Sequence, residues 1–226
     1  MTLTASTIDQ PPATPEAMRH AMVASQLRTN AVSDARVVAA MAVVPREDFL
    51  PAAVGALAYR DTAIPLCHGR QANPAMATGR LLTAAALRAS DRVLLIGAAG
   101  GYTAAVLARV VATVTAVESD PALLAIARRT LAGMAGVTLH EGPLPAGAPD
   151  GAPYDVLVVD GAVEQLPMAL VEQVAVGGRV VAALDDRGVT RLASGRRTAG
   201  GFALQPFADA EAAPLPGFAP PVRFSF

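Results

Sequence analysis

The residues best suited to chemistry, by type and spacing, lie in the segment that reads VLLIGAAGGY, from Val93 to Tyr102. Four apolar residues end in a glycine-rich turn, and a helix-forming run at 103–110 follows at once. A second apolar run then ends at Glu118, which lies 21 positions after Gly97 (118 − 97). An acid at this distance, at the end of a second parallel strand, is placed to accept hydrogen bonds from ribose hydroxyls. The pattern predicts a site for a cofactor that contains a nucleoside.

The glycine turn alone leaves the class of cofactor open. Dinucleotide sites favour G-x-G-x-x-G, whereas Ala99 stands here where a middle glycine would be. A pyrophosphate at a helix N-terminus would indicate a dinucleotide, while the tighter G-x-x-G-G turn fits a ligand without phosphate, such as S-adenosylmethionine. A turn of this kind also occurs where nothing binds. The residues predicted to line the cofactor are Gly97, Ala98, Ala99, Gly100, Gly101, Glu118, Ser119, Gly142 and Asp160.

Strands and helices alternate after residue 91, which predicts an α/β fold with a doubly wound, mostly parallel sheet of the Rossmann-like class. A buried run such as VLLI is typical of a strand covered on both faces. The predicted strands lie at 92–96, 113–117, 137–140, 155–160 and 178–184, and the helices between them at 101–110, 121–133 and 167–174. Segments 190–197 and 201–207 are predicted to pair antiparallel before a proline-rich tail at 212–226.

The first 90 residues have a different pattern, so we divide the chain into 1–90 and 91–226. Amphipathic helices are predicted at 15–28 and 34–42, capped by Thr14 and Ser33, and a further helix runs from 73 to 87. The stretch between residues 58 and 73 lacks periodicity and is predicted to be a loop on the substrate side. The first part is thus a helical extension, and the second is the cofactor domain with its antiparallel strands and tail.

Ligands of open parallel sheets bind at the carboxyl ends of the strands. The fourth predicted strand ends at Asp160, which either caps the strand end or faces the substrate. The third is followed by Glu141 and Gly142, where backbone amides or the carboxylate would meet an adenine edge, unless this is a plain loop.

Composition limits the other function classes. Hydrophobic residues make up 53% of the 226 and charged residues 16%, which indicates a large core, and Gly, Pro, Arg or Asp interrupts every apolar run before it reaches the length of a membrane span. The first 15 residues carry neither a basic residue nor an apolar block, so no secretory signal is predicted and a cytoplasmic location is expected. With 18 basic and 19 acidic residues and 4% aromatics, no nucleic-acid partner is predicted.

The usual catalytic groups are missing. Cys67 is the single cysteine, and the three histidines have no metal-ligand spacing, so neither a disulfide nor a metal site is predicted. No G-x-S-x-G motif is present. Methyl transfer from a sulfonium to a carboxylate needs no general base, because a carboxylate is ionised at pH 7, and a dry cleft favours two reactants that lose charge as they meet.

Eight segments, within about residues 18–181, resemble the protein-L-isoaspartate O-methyltransferase family of class I methyltransferases. They are MVASQLR (22–28), VSDARV (32–37), AMAVVPREDFLP (40–51, with VPREDFLP at 44–51), AYRD (58–61), IPL (64–66), DRVLLIGAAGGYTAAVLAR (91–109), PYDVLVV (153–159) and LPMALVEQVAVGGRV (166–180). The resemblance implies S-adenosylmethionine as cofactor, with the turn at 97–101 along its methionine and ribose and Glu118 on the ribose hydroxyls. It also implies a protein-repair activity, the methylation of isoaspartyl or D-aspartyl carboxylates in damaged proteins or peptides, with the amino-terminal helices helping to form the peptide cleft. It leaves the oligomeric state open.

The chain departs from the family pattern at two places. The family usually has a threonine-isoleucine-serine stretch before the proline at 74, whereas this chain has a stretch one residue shorter, with Ala72 in place of the serine. Arg70, Ala72 and Asn73 are therefore the candidate catalytic positions, and Arg70, Gln71 or Asn73 would replace the hydroxyl unless the substrate differs. Leu95 stands where the first strand usually ends in an acid, so the cofactor ammonium would lose a charged hydrogen bond of about 1.5–3 kcal/mol.

Three alternatives remain open on these residues. In the first, the methyl group goes to another carboxylate or to a small molecule. In the second, the chain binds the cofactor without turnover. A dinucleotide-dependent dehydrogenase is the third, and it is disfavoured by the spacing of the glycines.

Overall fold

The computed structural model describes residues 14–219, which form a nine-stranded, six-helix α/β arrangement with short 3-10 turns between the elements. The strands are β1 (Ile64–Pro65), β2 (Gln71–Ala72), β3 (Arg92–Ile96), β4 (Thr113–Glu118), β5 (Val137–Glu141), β6 (Tyr154–Val163), β7 (Val174–Asp186), β8 (Val189–Thr198) and β9 (Gly201–Asp209). The α-helices are α1 (Pro15–Ala21), α2 (Ala35–Val43), α3 (Ala75–Ala84), α4 (Tyr102–Leu107), α5 (Pro121–Thr130) and α6 (Met168–Val171).

Seven strands make one sheet in the order β5-β4-β3-β6-β7-β8-β9, and β1 pairs with β2 as a separate antiparallel hairpin. The first five strands of the sheet are parallel, and β8 and β9 add to its edge antiparallel. Alternate residues of β3 enter two different hydrophobic cores, with Val93 and Leu95 in one and Leu94 and Ile96 in the other. Both faces of the sheet are thus covered, and the predicted fold class is confirmed.

The amino-terminal segment starts as predicted and then differs in detail. The hydroxyl of Thr14 accepts a hydrogen bond from the amide of Ala17 (3.2 Å) and so caps α1, but after Ala21 the chain continues as a π-helix, Met22–Leu27. The cap of α2 is Asp34, one residue after the predicted Ser33.

The division of the chain at residue 90 stays a prediction. Met22 and Met41, from the helical extension, lie in the same buried core as Val93 of the sheet. The extension therefore packs directly on the sheet.

Two further predicted bounds are corrected by the structure. The helix predicted at 167–174 is limited to α6, because β7 already begins at Val174. The helix predicted from 73 to 87 spans Ala75–Ala84, since Pro74 precedes its first turn.

The predicted antiparallel pair is present as β8 and β9, and the chain then returns to the carboxyl end of β6. There the amide of Ala162 donates to the carbonyl of Ala213 (2.7 Å), and the amide of Leu215 donates to the carbonyl of Ala162 (2.9 Å). Leu215 and Phe218 are buried in the second core. Within residues 14–219, none of the helices combines the length and apolar character needed to cross a bilayer.

Candidate active site

Three of the predicted site residues meet at one edge of the sheet, where β3, β4 and β6 end. Gly97 follows β3, Glu118 is the last residue of β4, and Asp160 lies in β6. The amide of Gly97 donates to the carbonyl of Val117 (3.1 Å), which ties the glycine turn to the end of β4. The parallel register of the strands therefore brings together residues that lie far apart in sequence, as the sequence predicted.

Glu118 is completely buried and fully hydrogen-bonded. Its carboxylate accepts backbone N–H groups of Ala99 (2.8 Å), Ser119 (2.8 Å) and Asp120 (3.0 Å). It also accepts both terminal nitrogens of Arg70, at 2.5 and 3.0 Å. The predicted cofactor residues Ala99 and Ser119 thus hold the acid in place through their backbones.

Arg70 and Glu118 form a buried, bidentate ion pair, in which the side chains are 7% and 0% exposed. Arg70 precedes β2, in the hairpin that β1 and β2 form, and its side chain reaches the tip of β4. Its Nε atom is buried and has no hydrogen-bond partner among the described residues. The structure therefore brings this predicted catalytic residue to the acid that was predicted to hold the ribose.

One glycine of the turn is required by packing of the protein on itself, and another by its backbone conformation. A Cβ atom at Gly100 would lie 1.9 Å from the carbonyl oxygen of Phe49, in the VPREDFLP segment. Gly97 has a φ of +83°, and a Cβ there would meet the side chain of Leu215 at 2.9 Å. The turn thus accommodates two neighbouring segments of the chain in addition to any ligand.

Asp160 is held by side chains from three elements. It accepts hydrogen bonds from Asn73 (3.0 Å), from Thr78 of α3 (2.8 Å) and from Thr103 of α4 (2.5 Å). The side-chain oxygen of Asn73 accepts a further bond from the amide of Ala213 (3.0 Å). Asn73 therefore links the predicted catalytic loop to the end of β6 and to the carboxy-terminal segment. The two threonines were missed in the sequence, where they carry no motif beyond their position in amphipathic helices.

Arg46 is the most informative residue that the sequence analysis left without a role. It is 3% exposed, and none of the ion pairs within residues 14–219 includes it. One terminal nitrogen donates to the carbonyl oxygen of Asn73 (2.6 Å), and the guanidinium lies 4.7 Å from the ring centre of Tyr102. Buried arginines are rarely without a carboxylate. The signal in the sequence was its place in VPREDFLP.

The Nε atom of Arg46 and the neighbouring hydroxyl of Tyr102 are both buried and have no hydrogen-bond partner among the described residues. Burial raises the pKa of Tyr102 to about 12, so the phenol stays neutral. With the Nε of Arg70 included, three of the five buried side-chain atoms that lack a partner within residues 14–219 belong to residues at this end of the strands. Buried polar atoms are normally hydrogen-bonded, because leaving them without a partner destabilises the fold, so three such atoms close together indicate a role beyond structure.

The other predicted site residues have simpler surroundings. Ala98 and Ala72 line the same small cavity as Arg46 and bring no polar side-chain atom to it. The amide of Gly142 donates to the backbone carbonyl of Glu118 (3.1 Å). Glu141 pairs instead with Arg128 at 2.6 Å on the exposed surface.

The cavity between Arg46, the glycine turn and Asp160 measures about 30 Å³, room for only a few water molecules. This cavity alone is too small for S-adenosylmethionine; a separate groove of about 460 Å³ is lined by Ser119, Glu141 and Gly142. A much larger groove, of about 800 Å³, lies on the other side of Phe49 and Leu50, between the VPREDFLP segment and α5. It contains neither Glu118 nor Asp160. Within residues 14–219, no three His, Cys, Asp or Glu side chains are grouped as metal ligands would be.

Comparison with known proteins gives the family. Residues 18–209 match the model of the family described as Protein-L-isoaspartate(D-aspartate) O-methyltransferase. Protein-L-isoaspartate O-methyltransferase 1 of Rhodopseudomonas palustris is 40% identical over 185 residues, which cover 80% of this chain and 76% of that protein. The protein-L-isoaspartate O-methyltransferase of Roseiflexus castenholzii is 39% identical over 202 residues, covering 88% and 92% of the two chains.

Two solved structures share the fold. One protein-L-isoaspartate O-methyltransferase has a TM-score of 0.75 at 23% identity, covering 90% of this chain and 66% of its own. A Plasmodium falciparum protein, described as the same kind of enzyme in complex with S-adenosyl-L-homocysteine, has a TM-score of 0.72 at 15% identity, covering 86% and 96%. The prediction of the family, and with it of the methyltransferase class, is confirmed. The chain belongs to the protein-L-isoaspartate(D-aspartate) O-methyltransferase family.

Proposed function

We propose that this protein transfers a methyl group from S-adenosylmethionine to the carboxylate of isoaspartyl residues in proteins or peptides. The observation that carries the proposal is the family match over residues 18–209, with relatives at about 40% identity over most of the chain. The cofactor of this family is S-adenosylmethionine, in agreement with the sequence-based prediction.

The cofactor would supply the methyl group, and the chain would bind and orient the reactants. The backbone at 97–101 and the carboxylate of Glu118 are the groups that would hold the nucleoside, after Arg70 has left Glu118. The residue types suit this task, because backbone amides and a buried acid at strand ends are the usual partners of a ribose. Asp160 already accepts three hydrogen bonds, so we assign it a positioning role for Asn73 and the two threonines.

We propose that the guanidinium of Arg46 binds the carboxylate that accepts the methyl group. This guanidinium is buried, has no carboxylate partner within the described residues, and contacts the backbone of Asn73 beside Ala72. An isoaspartyl carboxylate is ionised at pH 7 and needs no base, but it does need compensation for the loss of water. A buried cation with a free N–H group supplies that compensation, and so replaces the hydroxyl that Ala72 lacks.

Transfer of a radiolabelled methyl group tests the activity directly. The purified protein is given labelled S-adenosylmethionine with an isoaspartyl peptide, or with the same peptide carrying normal aspartate. We expect label only in the isoaspartyl peptide, in a form that mild alkali releases because a methyl ester has formed. Equal labelling of both peptides would contradict the proposed substrate, and labelling of neither would contradict the activity.

A second candidate function is supported by the Arg70–Glu118 pair and by Ala72. It is a cofactor-binding protein of the same family without turnover. Binding of S-adenosylhomocysteine, measured by calorimetry, without label in any carboxylate acceptor would favour this candidate over the first.

A further inference from the structure

The carboxylate that should bind the ribose is already occupied by a side chain of the same chain. Arg70 contacts both oxygens of Glu118, and three backbone amides contact them as well. A carboxylate offers about four lone-pair positions to donors. Five donors therefore leave Glu118 no place for a ribose hydroxyl while Arg70 stays bound.

The guanidinium of Arg70 also resembles a ribose diol in what it offers to Glu118. Its two terminal nitrogens present two donors side by side, 2.5 and 3.0 Å from separate oxygens, and a pair of vicinal hydroxyls would use the same two oxygens. The side chain is 7% exposed and lies at the strand end, so it takes up space there as well as hydrogen bonds. Arg70 and a nucleoside thus compete for the same atoms.

The pair is incompletely satisfied on its arginine side. The Nε atom of Arg70 is buried without a partner among the described residues. By contrast, the three amides that hold Glu118 stay in place when Arg70 is absent, because they belong to the backbone of the glycine turn and of the segment after β4. The acid is therefore pre-organised for a replacement partner with two hydroxyls.

We infer that Arg70 is the residue that controls access of the cofactor ribose to Glu118. In this arrangement the chain binds an adenosyl ligand only in the fraction of molecules in which Arg70 has left the acid. The apparent dissociation constant is then the intrinsic one divided by that fraction. The inference rests on the proposed function and adds to it a residue that sets the affinity for the cofactor.

Calorimetric titration with S-adenosylhomocysteine tests the inference without depending on catalysis. We expect weak binding by the unmodified protein, and at least tenfold tighter binding by Arg70→Ala. Arg70→Lys should lie between them, because a lysine makes a single point contact instead of a bidentate one. The lysine variant also keeps the test usable if Arg70→Ala does not fold, which circular dichroism will report.

The matched control is Arg179→Ala, which removes the arginine of another buried pair, far from the strand ends that carry Glu118. Because this variant is expected to be less stable, it is compared at a temperature at which circular dichroism shows it folded, and there it should leave the affinity for S-adenosylhomocysteine unchanged. Unchanged or weaker binding by both Arg70 variants, with methyl transfer to the isoaspartyl peptide intact, would overturn the role of Arg70 alone. No binding by any folded variant, with no methyl transfer, would overturn both this inference and the proposed function.

Discussion

Two buried arginine–carboxylate pairs lie at opposite ends of the parallel strands and differ in the number of hydrogen bonds that their arginines make. Arg179 and Asp91 meet at 2.6 Å where β3 begins, and their side chains are 9% and 4% exposed. Arg179 also donates to the carbonyls of Ala85 and Ala86, and none of its nitrogens is among the buried atoms without a partner. Among the described residues, the side chain of Arg70 binds only Glu118, and its Nε has no partner. An arginine that also binds backbone carbonyls is typical of a structural pair, whereas a buried donor without a partner, at the strand ends where we propose that the cofactor binds, indicates a replaceable one.

The largest effect is expected at the structural pair. Arg179→Ala would leave the buried Asp91 with one backbone donor, the amide of Arg88 at 2.6 Å, and should lower the free energy of unfolding by about 3–5 kcal/mol. Urea unfolding at pH 7 measures this loss. A decrease of less than about 1 kcal/mol, comparable to an exposed pair, would remove the distinction between the two ends.

Arg46 extends the comparison to a buried arginine that has no carboxylate partner within residues 14–219. Because we assign its charge to the acceptor, Arg46→Ala should lower kcat/KM for the isoaspartyl peptide about ten- to hundredfold, the equivalent of a charged hydrogen bond of about 1.5–3 kcal/mol. The effect should lie mainly in KM for the peptide, and Arg46→Lys should restore part of it. Binding of S-adenosylhomocysteine, measured in parallel, should not change. A peptide KM equal to that of the unmodified protein would exclude Arg46 from the acceptor site.

The Arg70–Glu118 pair should contribute less to stability than its counterpart. In Arg70→Ala, Glu118 keeps three backbone N–H donors, so we expect the free energy of unfolding to fall by only about 1–3 kcal/mol. The same urea experiment as for Arg179→Ala gives the comparison directly. A loss as large as that of Arg179→Ala would mean that both pairs are structural.

Local patterns in the sequence were sufficient for the strands of the main sheet and for one end of each contact. They did not predict the β1–β2 hairpin, which lies in a stretch predicted to be a loop, or the π-helix Met22–Leu27. The buried run of β3 has the predicted bounds, and Glu118 lies at the end of β4, because alternation of apolar segments and turn residues is a local property. The partner of Glu118 could not be predicted. Arg70 is 48 residues away, and its approach depends on how the β1–β2 hairpin packs against the strand ends.

The same reason explains the other omissions. Thr78 and Thr103 bind Asp160 from two helices, at sequence separations of 82 and 57 residues. Arg46 lies in a segment recognised by resemblance, yet its charge became informative only because the described part of the chain brings no carboxylate to it. Even the glycines had a second use that spacing does not reveal, since Gly100 allows the carbonyl of Phe49 to approach.

The smallest effect is expected at a third pair, between Asp120 and His68, near Glu118. In this pair the histidine is exposed and the aspartate is largely covered. Asp120 accepts the amides of Ala122 (2.8 Å) and Leu123 (3.1 Å) as the N-cap of α5, and the ring of His68, whose side chain is 70% exposed, at 2.7 Å. Burial raises the pKa of Asp120, but the hydrogen bonds from His68 and the two amides lower it more, so the net shift is downward. Asp120→Ala should cost about 0.5–2 kcal/mol, as for other N-caps.

The lowered pKa of Asp120 determines how the loss of unfolding free energy in Asp120→Ala depends on pH. A carboxyl group with a lowered folded-state pKa stabilises the fold fully above its unfolded pKa of about 4, and the stabilisation is lost as the pH falls through the folded value. The difference in unfolding free energy between the unmodified protein and Asp120→Ala should therefore be constant near neutral pH and shrink below about pH 4. His68→Ala is the control, and it should cost less because its ring is exposed. A difference that grows on acidification would show that the ionised carboxylate of Asp120 does not stabilise the start of α5.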